Sequence, residues 1–115
     1  MKKTIASILA VVTLAILFML PTQVGAKEMT GEEVTFGRKL GNCLSCHMIP
    51  GGSLPGTIGP PLLAMKARFP NKTDLRKQIW DATIKNPYSI MPPFGKHQVL
   101  TEKQIDQITD FIYSK

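Results

Sequence analysis

Apolar residues run nearly unbroken from Thr4 to Leu20, and after Pro21 the pattern changes to short amphipathic stretches punctuated by glycine and proline. Thr30 followed by Glu33 reads as a capping box and predicts a helix from about Gly31. Val34 and Leu40 would share its apolar side, with Gly37 allowing close backbone approach, and the helix is expected to run up to Cys43 after a bend at Gly41-Asn42. Residues 27–29 are expected to be a frayed start. Met48 to Pro61 holds four Gly and four Pro in fourteen residues, too many turn formers for helix or strand, and an ordered loop is expected there. Leu62 to Phe69 reads as a short helix ended by Pro70. A second helix starts near Asn71 or Thr73, carries Leu75, Ile79 and Ala82 at helical spacing, and ends at Asn86-Pro87. Tyr88 to Gly95 is a further loop. Thr101 with Gln104 forms another capping box, Leu100 is placed to staple against Ile105, and Ile105, Ile108 and Ile112, with Phe111 beside them, form the face of a last helix. No stretch after residue 26 reads as a well-formed strand, so the expected fold class is all-α.

The apolar start follows Met1-Lys2-Lys3 and leads to Val24-Gly25-Ala26, with small residues where a signal peptidase reads. Residues 1–26 are therefore expected to be a cleaved secretory signal and residues 27–115 one domain. A retained anchor is the alternative, since about 17 apolar residues lies at the lower limit for spanning a bilayer. A mature domain of this size has a thin core and usually needs a staple. The formal net charge of +6 falls to about +4 once Lys2 and Lys3 are removed. The remaining cations are scattered and carry no interleaved aromatic series, so nucleic-acid binding is not expected; a positive face meeting an acidic partner is compatible with them.

Cys43-Leu44-Ser45-Cys46-His47 is the C-x-x-C-H pattern of covalent haem c attachment. At that spacing two sulfurs can add across the vinyl groups of one haem edge while the next imidazole ligates the iron. The haem would serve as staple and apolar body at once, in an exported protein that would otherwise be expected to form a disulfide. The carbonyl of Pro60, which can accept but whose residue has no N–H to donate, is a candidate partner for His47 Nδ1. For the second axial position, Met48 is tethered to the face of His47, Met29 lies near the chain start, and Met65 has the spacing of a core residue. Met91, at the head of a proline-stiffened loop, is the favoured ligand and His97 the runner-up. Trp80 reads as a core aromatic or as an indole donor to a haem propionate. A zinc site is disfavoured because the two histidines lack paired ligand spacing, and a thioredoxin-like dithiol because strands are lacking.

Beyond the attachment site, Gly41 to Gly52, Ile58-Gly59-Pro60-Pro61-Leu62, Ile79-Trp80-Asp81-Ala82-Thr83, Met91-Pro92-Pro93-Phe94-Gly95-Lys96-His97 and Leu100-Thr101-Glu102 resemble the SoxX family, across nearly all of residues 41 to 113. These are small monohaem subunits of the cytochromes of bacterial thiosulfate oxidation. The segment between Gly37 and Cys43 is shorter than in many members by roughly one helical turn. The resemblance implies a class I cytochrome c-like fold, one haem c on Cys43 and Cys46, and His47 and Met91 as axial ligands. It further implies a periplasmic complex with a larger c-type cytochrome (SoxA-like) subunit, acting as an L-cysteine S-thiosulfotransferase. Such a complex joins thiosulfate oxidatively to a cysteine of a sulfur-carrier protein and passes electrons to a downstream acceptor cytochrome. The larger subunit hosts the sulfur chemistry; this chain would supply electron transfer. A free-standing soluble carrier is the alternative.

Overall fold

Why the chain closes on itself is clearest at its last helix. The computed structural model describes residue 25 and residues 27–115; apart from Gly25, the expected signal segment lies outside the described residues. Four helices, α1 (Gly31–Phe36), α2 (Met65–Arg68), α3 (Lys72–Trp80) and α4 (Glu102–Tyr113), are joined by loops with 3-10 turns at Cys43–Ser45 and Ala82–Ile84. No strand occurs among the described residues. Both α1 and α3 pack on α4. The chain is thus all-α, as its periodicity predicts.

Helix α4 begins at a complete capping box, in which the Thr101 hydroxyl accepts from Gln104 N–H at 3.2 Å and the Gln104 side chain accepts from Thr101 N–H at 2.9 Å. Ile105, Ile108 and Ile112 are buried along its inner face, with Leu100 buried just ahead of it. They share one core with Val34 of α1, Leu75 and Ile79 of α3, Met65 of α2, Ile49 and Phe94. Removing these side chains from water is the main drive to close the domain. Helix α1 approaches α4 at Gly31, where an added Cβ would lie 2.2 Å from the Gln107 carbonyl oxygen. Phe36 meets Phe111 edge to face, ring centres 5.5 Å apart. Gly37 is tightly packed as expected, an added Cβ there lying 2.7 Å from the Glu33 carbonyl oxygen, and Gly31 makes the close approach to α4.

Several expected boundaries move. Helix α1 stops at Phe36, because Gly37 turns extended, and residues 37–42 coil back with Gly41 N–H on Val34 O at 3.0 Å and Asn42 N–H on Gly37 O at 3.1 Å. Asn42 then takes the left-handed conformation (φ 47°) and redirects the chain into the cysteine turn. Helix α2 is one short turn, since Ala64 is itself left-handed (φ 49°) and Leu62 N–H is taken by Met48 O at 2.8 Å. Helix α3 ends at Trp80, where Asp81 becomes extended and caps the next turn through Thr83 N–H. Residues 28 and 29 are pinned instead of frayed: Gln107 Nε2 donates to Met29 O at 2.6 Å and Lys103 pairs with Glu28 at 2.9 Å.

Candidate functional site

Cys43 opens the 3-10 turn and Cys46 closes it, with Cys46 N–H on Cys43 O at 3.2 Å and His47 N–H on the same carbonyl at 2.9 Å. This tight turn presents both thiols and the imidazole from one short segment, all three half-buried. The two sulfurs are free and not joined to each other. Burial pushes the Cys43 thiol up to about 11. A redox dithiol needs a stabilised thiolate, so this environment is the reverse of a thioredoxin-like site. Nor does zinc fit: among the described residues no three His, Cys, Asp or Glu side chains converge on a metal-sized point.

The glycine- and proline-rich loop that follows is laid back along the turn. Gly56 N–H donates to Leu44 O at 2.7 Å, Gly59 N–H to Cys46 O at 2.8 Å and Leu62 N–H to Met48 O at 2.8 Å. Two of its glycines admit this approach. A Cβ at Gly56 would stand 2.0 Å from Ser45 O, and one at Gly59 would stand 2.4 Å from His47 Cε1. The flat face of Gly59 is therefore one wall of the imidazole. The neighbouring Pro60 carbonyl lies 2.7 Å from His47 Nδ1. A carbonyl only accepts, so Nδ1 carries the proton and Nε2 keeps its lone pair for a metal.

Met91 sits on the second loop, half-buried against the core, with its N–H on Ser89 Oγ at 3.3 Å. Met65, by contrast, is 1% exposed inside the core and unavailable as a ligand. His97 is exposed in the turn after Gly95, and Met29 is on the surface at the chain start. Trp80 is half-buried at the end of α3. The Arg76 guanidinium lies over its ring at 5.4 Å, and Gly95 is pressed so close that a Cβ there would come within 2.1 Å of the indole. Trp80 thus packs as a partly buried aromatic. Sequence reading quoted Gly59, Asp81 and Lys96 only within the motifs of the resemblance and gave them no role of their own, because their contacts are made in the folded chain.

Both loops hold apolar side chains out from the body: Leu54 (94% exposed) and Ile58 on the first, Ile84, Tyr88 and Ile90 on the second. Paired free thiols, an imidazole oriented by a carbonyl, a glycine cradle and apolar loops together suit a covalently held haem c. Among the described residues no helix is long and apolar enough to cross a membrane.

Comparison with known proteins supports this chemistry. The chain is similar to the solved crystal structure of SoxXA from P. pantotrophus, at 25% identity and a TM-score of 0.65, over 83% of this chain and 87% of that one. No curated protein matches it. The structural match is consistent with the SoxX resemblance carried by the motifs and with a class I cytochrome c-like fold. A family model matches residues 26–112, and the chain therefore belongs to the cytochrome family described as cytochrome C oxidase, cbb3-type, subunit III.

Proposed function

We propose that the chain is the electron-accepting monohaem subunit of a periplasmic, SoxAX-type thiosulfate-oxidising complex, with His47 and Met91 as axial ligands. The observation that carries the reading is the match to SoxXA over most of both chains. Haem c, when bound through Cys43 and Cys46, supplies a one-electron couple. The residues of this chain set its surroundings. His47 offers Nε2 because Pro60 holds Nδ1–H, and Met91 is presented from a loop stiffened by Pro87, Pro92 and Pro93. Were His47 and Met91 both to hold the haem iron, substrate would find no open position there, and with both cysteines joined to the haem no thiol of this chain would be left to carry sulfur.

The division of labour follows. Joining thiosulfate to a cysteine thiol of the sulfur carrier forms one S–S bond and releases a proton and two electrons. Those electrons leave singly through this chain to a downstream acceptor cytochrome, while the bond forms on a larger, SoxA-like c-type cytochrome. Methionine and histidine ligation raises the reduction potential, as an acceptor requires. The exposed apolar Leu54 and Ile58 are suited to burial against such a partner.

Substitution Met91→Ala is expected to abolish the weak near-infrared sulfur-to-iron band and lower the reduction potential; an unchanged spectrum contradicts Met91 ligation. The alternative reading is a free-standing carrier between respiratory complexes. Copurification with a larger c-type cytochrome supports the subunit, and a protein that stays monomeric beside that partner supports the carrier.

A further inference from the structure

The loop bearing Met91 is closed at its neck by contacts that the attachment motif does not explain. Asp81, at the start of that loop, is 4% exposed. One carboxylate oxygen accepts from the Thr83 N–H at 3.0 Å and from the Thr83 hydroxyl. The other pairs with Lys96 Nζ at 3.0 Å, at the end of the loop, and the Lys96 side chain remains 56% exposed. Immediately beside this pair, the Trp80 carbonyl accepts Gly95 N–H at 3.1 Å and Lys96 N–H at 3.3 Å. Gly95 lies flush on the indole with no room for a side chain. Residues 80–81 and 95–96 are thus clasped at the two ends of the loop.

Between the two ends, Ala82 and Phe94 are buried next to the clasp and Met91 packs against the core, while the stretch from Ile84 to Ile90 has few anchors. Ile84, Tyr88 and Ile90 stand in solvent, and Met91 is steadied locally by Ser89. Three prolines limit bending within the segment. A stiff loop held at its neck moves as a lever, so the neck decides how often its tip swings away. Loss of the ammonium would leave a buried carboxylate short of a partner, which costs more than breaking an exposed pair.

We propose that Asp81 and Lys96 are positioning residues for the axial methionine, forming a latch whose closure sets how rarely Met91 releases the iron. The proposal rests on Met91 being that ligand. Lys96 reaches Met91 only through the loop backbone and is itself largely exposed, so the latch can be opened without emptying the core.

The test uses the ferric holoprotein and free imidazole as probe. Imidazole takes the distal position only after Met91 leaves, so its saturating binding rate reads methionine release. Lys96→Met, which keeps the stem and removes the ammonium, is expected to raise that rate roughly tenfold, the order for one lost charge-assisted hydrogen bond. Asp81→Asn, which still accepts from Thr83, should do the same, and Lys96→Arg should return the rate toward that of the parent. A merely structural pair would lower the unfolding midpoint and leave the imidazole rate within about twofold of the parent, well below the effect of one such bond; that result overturns the latch. If Asp81→Asn does not fold, Lys96→Met alone decides. If the parent protein lacks the sulfur-to-iron band, Met91 ligation fails and the latch with it; a parent with the band and an unchanged Lys96→Met rate sinks the latch alone.

Discussion

At the residue scale, the imidazole of His47 is held by two neighbours of different kinds. Pro60 supplies a carbonyl 2.7 Å from Nδ1, and Gly59 lacks the Cβ that would otherwise stand 2.4 Å from Cε1. Substitution Gly59→Ala must push the ring or the carbonyl aside. A weakened bond to Nδ1–H makes the imidazole a poorer donor to iron and disfavours the ferric state. The expected result is a raised reduction potential in a spectroelectrochemical titration; a potential equal to the parent's would show that the ring tolerates the methyl group. Cys43, Cys46 and His47 could be read directly, because their chemistry depends on adjacency along the chain. Pro60 was legible through its missing N–H. Gly59 as a wall was not, since a glycine in a loop rich in glycine looks the same whether it faces a ring or solvent.

At the scale of elements, capping chemistry was the most readable feature. Thr30 with Glu33 and Thr101 with Gln104 both form complete boxes in the structure. Truncation Thr101→Ala should cost about 1 kcal/mol by guanidinium unfolding, since α4 supports both α1 and α3. A loss indistinguishable from zero would mean that α4 is held by its apolar face alone. Boundaries were less legible where the backbone leaves the helix without a glycine or proline to announce it. Ala64 is left-handed between two tertiary bonds, Leu62 N–H to Met48 O and Met65 N–H to Lys115 O, and Asp81 is extended, bonded to Thr83 and paired with Lys96; helix propensity encodes neither.

Asp81 also gives this scale a pH dependence. Its bonds to Thr83, then its contact with Lys96, hold its carboxyl below the usual carboxylate range. The folded value therefore lies under the unfolded one, near 4. The ionised group stabilises the fold above that pH, and the contribution disappears as pH falls through the folded value. Parent and Asp81→Asn proteins should differ in denaturation midpoint at neutral pH and converge below about pH 4. A gap constant with pH would contradict this. Glu33 is lowered in the same direction by its capping bonds to Thr30, and comparison with the variant removes its effect.

At the scale of the whole molecule, four short helices among the described residues enclose a small core, and much of the rest of that part is loop. Those loops carry both the site and exposed apolar side chains, with Tyr88 at 92%. A cofactor edge and a partner surface are each suited to cover them, which fits a subunit better than a solitary carrier with a polar rim. The all-α architecture was legible from periodicity and from the lack of strand patterns. The proposed assembly rests on resemblance and the structural match, because nothing in a haem attachment motif says what the electron came from. The most direct measurement follows the haem absorbance of this chain, purified in oxidised form, on addition of thiosulfate. Rapid reduction should require both a larger SoxA-like cytochrome and the sulfur-carrier protein, and omission of either should leave the haem oxidised. A haem that stays oxidised with all three present, and a chain that never joins the larger cytochrome, would contradict the account.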